Sequence, residues 1–235
     1  MATGCLVRVS AKSALGLLIA ILALAAPARA DEVRISGRAD VIDGDTISIG
    51  PLKVRLYGID AAEVGQTCKR AGGGTWDCAT SAANRLQQLI GDEPVDCVAL
   101  EQDVYGRIVA TCRATGADLG RQLVAEGLAW AFVRYSDAYA TEEATARTAA
   151  AGIWQSTSEP PWEYREARWD RAAERSPRPG CPIKGNVSVS NGERIYHTPW
   201  SANYERTVID ESKGERWFCD EAEAIAAGWR AARSR

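Results

Sequence analysis

Six of the seven cysteines in the 235-residue chain lie at position 68 or later, and they constrain the fold more than any other feature. These six are Cys68, Cys78, Cys97, Cys112, Cys181 and Cys219. An even number of cysteines is typical of a disulfide framework in an exported protein. Zinc is the alternative, but it needs about four close ligands, and the chain has no Cys-x-x-Cys pair and only one histidine, His197. We therefore favour disulfides, of which six cysteines allow about 15 arrangements.

The local sequence favours one set of cysteine pairs. Residues 95–100 and 107–112 are β-rich runs on either side of a turn, and this pattern predicts a hairpin whose cysteines lie at matching distances from the turn. A second pair would close a glycine-rich loop, and a third would link the C-terminal segment. The favoured pairs are Cys97–Cys112, Cys68–Cys78 and Cys181–Cys219.

The first thirty residues have the pattern of a secretory signal peptide. Arg8 and Lys12 precede an apolar run at 14–26, and an Ala-Arg-Ala cleavage site follows at 28–30. The run is shorter than the roughly 20 residues that cross a bilayer as a helix, although an uncleaved anchor is the alternative. We predict a signal peptide over 1–30 and a bacterial protein that is exported, periplasmic or secreted, with no membrane attachment after cleavage.

Removal of the signal makes the chain acidic. The formal charge of −3 becomes −6, from 25 basic and 31 acidic residues. Residues 31–155 hold 18 acidic and 12 basic residues, so the whole excess lies there. A packaging protein would bind nucleic acid through a basic excess. Any binding of nucleic acid by this chain is therefore expected to be modest and local.

Composition and periodicity divide the mature chain into three parts. Residues 31–155 combine five short strands with three helices, which predicts an α+β domain built on a small β-barrel. Residues 156–180 contain prolines and a short charged helix, and we interpret them as a linker. Residues 181–235 predict a small module of three strands and one helix. The first strand is expected at 33–42, and a loop at 61–77. Three helices are expected: one at about 82–90 with Thr80 or Ser81 as its cap, one at 119–126 with Asp118 as its cap, and one at 140–151.

Carboxylates and arginines cluster at the turns of the predicted barrel. Asp45, Asp60 and Glu63 have no histidine near them, and an oxygen-only site favours calcium or magnesium. Arg55 and Arg107 carry planar forks suited to phosphate oxygens. A hard metal, a carboxylate and two arginines are what the attack of water on a phosphodiester requires. Each residue alone could be an ordinary turn or surface residue, but their order and spacing favour a site.

Several spaced motifs resemble the thermonuclease family, typified by staphylococcal nuclease. They are Val-Ile-Asp-Gly-Asp-Thr at 41–46, Val-Arg-Leu-Tyr-Gly-Ile-Asp-Ala-Ala-Glu at 54–63, Asp-Val-Tyr-Gly-Arg at 103–107 and Leu-Val-Ala-Glu-Gly-Leu-Ala at 123–129. The resemblance covers about 33–154. It implies an OB-fold barrel and a calcium-dependent phosphodiesterase that acts on DNA and RNA and leaves 3′-phosphate ends.

The resemblance also implies roles for individual residues. Asp45, Asp60 and the backbone carbonyl of Ala61 would bind calcium, and Glu63 would be the general base or would position the water. The two arginines would bind the phosphate and stabilise its transition state. Tyr105 would contact the substrate.

Three residues depart from the family pattern. Ala62 replaces a proline and should loosen the loop that holds the glutamate. Val104 replaces a lysine, so one phosphate contact is missing. Val133 aligns with a nucleotide-stacking tyrosine, which leaves Phe132 or Tyr135 as an imperfect substitute. We expect these changes to make substrate binding weaker or differently tuned. Separately, we expect the protein to be a monomer.

Two other functions remain open. One is a non-catalytic OB-fold module that binds nucleic acid or protein, and the other is phosphodiester chemistry on a small molecule. The C-terminal module is distantly similar to the metal-binding domain of the Ada DNA-repair protein, but it has two of the four cysteines which that domain needs, so we infer a disulfide in place of zinc. Substrate contact and structural support are both open for this module, and His197 is interpreted as structural.

Overall fold

A computed structural model of the chain describes Met1 and residues 32–232. The predicted signal peptide therefore lies outside the described residues. Among the residues described, no helix is both long enough and apolar enough to cross a membrane. The described residues from Glu32 onward group into a single unit by their contacts, and the proposed division into a domain, a linker and a module stays a prediction.

The first part of this unit is a strongly curved sheet with three helices. Its strands are β1 (Arg34–Gly37), β2 (Ala39–Val41), β3 (Thr46–Ile49), β4 (Leu52–Leu56), β5 (Ile59–Ala61), β6 (Cys68–Lys69), β7 (Thr75–Trp76), β8 (Val95–Gln102), β9 (Ile108–Ala114), β10 (Ala117–Asp118) and β11 (Ala129–Ala131). Its helices are α1 (Cys78–Ile90), α2 (Leu119–Ala125) and α3 (Ala140–Thr148). A 3₁₀ turn follows at Gly152–Gln155.

The main sheet runs in the order β1-β8-β9-β4-β3-β2, with β10 paired to β9. All these pairs are antiparallel except β4 with β9, which is parallel. This nearly closed barrel of six strands is an α+β fold consistent with the OB-fold that the motifs predicted. The expected count of five strands was too low because the run at 33–42 is interrupted at Arg38 and forms two strands.

Local sequence explains most element boundaries, with two corrections. Asp77 caps α1, since its carboxylate accepts the Thr80 N–H at 2.8 Å, so the expected cap at Thr80 or Ser81 was wrong by one turn. Asp118 caps α2 as predicted, accepting the Arg121 N–H at 3.0 Å. The predicted loop at 61–77 contains the short antiparallel pair β6 and β7.

The barrel core is apolar and includes one disulfide. Side chains from the strands, α1 and α2 fill it, among them Ile47, Val54, Leu86 and Leu123, all fully buried. Cys97 and Cys112 face each other across β8 and β9 and are bonded. A disulfide also joins Cys68 to Cys78 beside a second cluster that contains Trp130 and Ile153.

The C-terminal part packs around a core of its own. It begins with α4 (Pro161–Arg175) and continues with β12 (Ile183–Val187), β13 (Arg194–His197), β14 (Arg216–Phe218), α5 (Glu221–Ala226) and β15 (Arg230–Ala231). The sheet order is β14-β12-β13-β15, one strand more than the sequence predicted. Ile183, Phe218 and Trp229 lie in its core, and Trp169 of α4 packs against that core. The third predicted pair, Cys181 and Cys219, is bonded.

Candidate active site

Arg55 joins the two aspartates that the sequence assigned to a metal site. It lies near the end of β4, and its Nη1 donates to Oδ1 of Asp45 at 2.9 Å while its Nη2 donates to Oδ1 of Asp60 at 2.8 Å. Burial lowers the pKa of Arg55, but the charges of Asp45 and Asp60 outweigh burial and raise it. The guanidinium is therefore a permanent charge at the centre of the carboxylate cluster.

Asp45 is held by donors from three parts of the chain. Besides Arg55, the hydroxyl of Thr46 donates to its Oδ1 at 2.9 Å and the N–H of Ala61 donates to its Oδ2 at 3.1 Å. Burial acts to raise the pKa of Asp45, yet the Arg55 charge and the Ala61 N–H hold it below its usual value. Asp45 is thus a buried, ionised carboxylate whose orientation is fixed.

A fourth carboxylate, Asp43, lies beside these groups, in the motif at 41–46. Its Oδ1 accepts the N–H of Asp45 at 3.1 Å. Burial, followed by the charges of Asp45 and Glu63, raises the pKa of Asp43 to about 7. Asp43 therefore adds only part of a negative charge to the cluster near neutral pH.

Arg165 of α4 is a site residue that the sequence reasoning missed. Its Nη2 donates to Oδ2 of Asp60 at 2.7 Å, and its Nη1 lies 2.6 Å from Oε1 of Glu63 and 3.2 Å from Oδ1 of Asp60. The side chain of Asp60 is 0% exposed, and both of its oxygens accept from arginine. Burial lowers the pKa of Arg165, and its bonds to Asp60 and Glu63 raise it well above its usual value.

Glu63 is partly buried next to Arg165. Burial raises the pKa of Glu63, and the opposing effect of the Arg165 charge does not cancel that rise. Its backbone N–H donates to Oε1 of Gln66 at 3.0 Å, and the Gln66 amide donates to the carbonyl of Glu159 at 2.8 Å. Gln66 therefore links the loop of Glu63 to the segment that leads into α4. This is the loop in which Ala62 replaces the proline of the family pattern.

Arg107 lies at the turn between β8 and β9, where the motif placed it. Its Nε donates to Oδ2 of Asp103 at 2.7 Å and its backbone N–H donates to Oδ1 of Asp103 at 2.9 Å. Its Cζ lies 5.2 Å from the centroid of the Tyr105 ring. Burial, followed by the charge of Glu221, raises the pKa of Tyr105. Asp103 belongs to the motif at 103–107, and its carboxylate orients Arg107.

The aromatic residues that were considered for base stacking lie together beyond β11. Tyr135 is 48% exposed and stacks on Phe132, with ring centroids 6.2 Å apart. Tyr57 meets Tyr135 edge-on at 5.9 Å, and Trp162 of α4 lies 5.7 Å from Phe132. Tyr135 does not line the groove described next, whereas Tyr105 does.

One large groove, of about 1190 Å³, passes between the barrel and the C-terminal part. Its barrel side carries the carboxylates and arginines of the candidate site. The C-terminal side contributes residues that no sequence motif placed there: Arg165, Trp169, Tyr196, Trp200, Glu221 and Arg230. The hydroxyl of Tyr196 donates to Glu221 at 2.9 Å. His197 is buried next to this wall and bonds Asn186 through Nε2 at 2.9 Å.

The residue types fit a hard divalent cation, since Asp45, Asp60, Glu63 and the Ala61 carbonyl offer only oxygen. Within the described part of the chain, no three His, Cys, Asp or Glu side chains are arranged as a ready metal-binding group. The guanidinium of Arg165 lies between Asp60 and Glu63 in this arrangement. The oxygen donors therefore suit a cation, and in this structure the guanidinium of Arg165 lies between two of them, Asp60 and Glu63.

The barrel topology and this cluster define an OB-fold protein of the nuclease type, with acidic and arginine side chains in one groove. The chain matches the model of the family described as Staphylococcal nuclease homologue over residues 53–156. The protein belongs to that family. Arg165 lies beyond the matched residues.

Comparison with curated proteins gives relatives of two kinds. The chain is 36% identical over 172 residues to the succinoglycan biosynthesis protein ExoI of Rhizobium meliloti (strain 1021), an alignment that covers 71% of this chain and 85% of that protein. It is 28% identical over 124 residues to the probable staphylococcal-like nuclease CAN3 of Oryza sativa subsp. japonica, covering 52% of this chain and 30% of that protein. The rice protein CAN4, described in the same words, is 30% identical over 117 residues, covering 48% of this chain and 22% of that protein. The chain thus spans less than a third of either rice protein.

Proposed function

We propose that this protein hydrolyses phosphodiester bonds of DNA or RNA. The observation that carries the proposal is that Arg55, Arg107 and the carboxylates Asp45 and Glu63 line the same groove. Permanent cations beside buried carboxylates are the combination that binds a phosphate and activates water at one place. The family to which the chain belongs supports the same class of reaction.

The two family arginines have separate tasks in this proposal. Arg55 is held by Asp45 and Asp60, so it presents a fixed charge at the floor of the groove. Arg107 is held by Asp103 through Nε and lines the same groove. Donors that are fixed before the substrate arrives stabilise the charge that builds up on the phosphoryl oxygens without reorganisation.

Glu63 is the proposed base or water-positioning residue. Its raised pKa makes it a better proton acceptor than a solvated glutamate, provided that it is ionised at the working pH. The hydrogen bond from its N–H to Gln66 fixes the loop that carries it. The attacking water would lose a proton to Oε1 or Oε2 as its oxygen forms the bond to phosphorus. The bond between phosphorus and the 5′ oxygen would break, and that oxygen would leave and take up a proton to become a hydroxyl.

Calcium is the cofactor that we propose, held by Asp45, Asp60 and the carbonyl of Ala61. When bound, it would supply positive charge for the phosphoryl oxygens and lower the pKa of a bound water. We further propose cleavage that leaves 3′-phosphate ends, a monomer, and export to the periplasm or the medium. The three disulfides support export.

A non-catalytic binding module is the second candidate, and one observation favours it. Arg165 bonds both Asp60 and Glu63, so the groups that would bind the metal and activate water are engaged by an internal cation. Arg55 and Arg107 would still bind phosphate in such a module. The two candidates differ in whether bond cleavage follows binding.

One experiment separates these functions. Degradation of single-stranded DNA and RNA is measured with the purified protein in calcium, in chelator, and as Glu63→Gln. We expect cleavage in calcium and a loss of about 10²-fold or more in the other two conditions. Glu93→Gln, at an exposed loop position, is the matched control and should cleave normally. Equal rates under all conditions, or no cleavage with intact binding, would exclude the proposed enzyme.

A further inference from the structure

Arg165 and Arg55 together donate three hydrogen bonds to Asp60. Oδ1 of Asp60 accepts from Arg55 Nη2 and Arg165 Nη1, and Oδ2 accepts from Arg165 Nη2. The same Nη1 bonds Glu63 at 2.6 Å. An oxygen that points both lone pairs at arginine has none for a metal ion. Oδ1 is therefore fully engaged, and because the Asp60 side chain is 0% exposed, a cation and Arg165 compete for it in this geometry.

The fold places Arg165 there with anchors on both sides of it. Three residues before it, Trp162 packs on Phe132 and on the cluster of Trp130 and Ile153. Four residues after it, Trp169 packs against the C-terminal core. The helix α4 thus joins the two parts of the protein, and the roughly two turns between these anchors carry the guanidinium into the carboxylate cluster.

We propose that Arg165 is a resident cation of the acidic site, and that a divalent cation binds at Asp60 only by displacing it. The inference rests on the proposed function for the identity of the cation, calcium. The helix α4 then sets the affinity for calcium, because the fraction of molecules in which Arg165 has left the carboxylates scales the apparent dissociation constant.

The displaced arginine has a second ligand available. Arg165 lines the same groove as Arg55 and Arg107, and a guanidinium that is free of carboxylate binds a phosphate oxygen pair well. A phosphate group in the groove would therefore stabilise the displaced state. Calcium and phosphate are expected to bind cooperatively, each raising the affinity of the protein for the other by the same factor.

The test measures calcium binding by isothermal titration calorimetry on the full chain, which needs no catalysis. We expect Arg165→Ala and Arg165→Gln to bind calcium about tenfold or more tightly than the unaltered protein. Arg171→Ala, at an exposed position on the same helix, should bind as the unaltered protein does. Thiophosphate serves as the probe for the phosphate group of the substrate. It should tighten calcium binding in the unaltered protein, and this increase in calcium affinity should be smaller in Arg165→Gln.

Thermal unfolding checks the variants and gives a second readout. Without Arg165, the buried Asp60 and Glu63 lose a partner, so Tm in chelator should fall, and added calcium should restore more of it than in the unaltered protein. Calcium affinity that is unchanged or weaker in a folded Arg165 variant would overturn the inference. Tighter calcium binding without cleavage of nucleic acid in any variant would support it and would exclude the proposed function alone.

Discussion

Gly44 lies directly against Ala61: a Cβ at Gly44 would be 2.7 Å from the Cβ of Ala61 and 2.9 Å from that of Ala82. The contact brings the turn before β3 onto the end of β5 and onto α1. The same approach lets the Ala61 N–H reach Asp45. The glycine is therefore needed for closeness, since its φ lies outside the left-handed region that favours glycine.

Gly44→Ala should be destabilising and should reduce activity. A methyl group there forces the turn away from β5, which we expect to lower the free energy of unfolding by about 1–3 kcal/mol. Urea unfolding measures the change, and Gly72→Ala is the control because a Cβ at that exposed loop position meets nothing within 4 Å. Equal stability of the two variants would contradict this explanation of the glycine.

Arg107 and Asp103 form a second testable pair. Arg107→Ala should lower kcat by about 10²–10³-fold, the loss typical of removing one donor to a developing oxyanion. Asp103→Asn keeps the Oδ1 that accepts the turn N–H groups but removes the charge that orients Arg107, and we expect a loss of about tenfold, within the range for a positioning hydrogen bond to a charged group. Steady-state kinetics with a single-stranded substrate measures both. A larger loss in Asp103→Asn than in Arg107→Ala would show that the aspartate acts otherwise.

His197 makes the C-terminal part sensitive to acid. Burial, together with the charges of Lys184 and Arg230, lowers the pKa of His197 below 6.5. The unfolded chain therefore binds a proton first as the pH falls, and stability decreases below about pH 6.5. Because the other groups titrate in both proteins, the difference in Tm between His197→Gln and the unaltered protein isolates this effect. The variant should lose less Tm than the unaltered protein between pH 7.5 and 5, and parallel losses would contradict the assignment.

The barrel was predictable because its determinants are local. Alternating apolar residues predict β3 and β4, and Asp118 with Gly127 marks the ends of α2. The motifs also placed Asp45, Arg55 and Asp60, which are close in sequence, and Arg107 in the turn of its own hairpin. The interruption of the first strand at Arg38 follows Gly37, a residue type that weakens a strand, and the prediction of one continuous run did not use that signal.

The C-terminal contribution to the site was not predictable in the same way. Arg165 meets Asp60 across a separation of 105 residues, and that contact depends on the packing of two separate cores. Pro160, Pro161 and Trp162 do mark the start of α4, since proline favours the first turn and the indole needs an apolar contact. Those signals locate the start of a helix, but they do not predict which residues its arginines contact.

The C-terminal wall of the groove raises the question of whether this part of the chain touches substrate. Trp200 lines the groove and lies 6.2 Å from Trp169, ring centroid to ring centroid. An indole is a stacking platform for an unpaired base, and such a contact contributes about 1–3 kcal/mol. Trp200→Ala should therefore raise KM for a single-stranded oligonucleotide by about fivefold to a hundredfold at unchanged kcat. Trp217→Ala is the control, because Trp217 lies on β14 outside this groove, and its KM should stay as in the unaltered protein. Loss of a base-stacking contact would lower the affinity for the strand. An unchanged KM in a folded Trp200→Ala protein would therefore show that the C-terminal wall supports the structure without binding the strand.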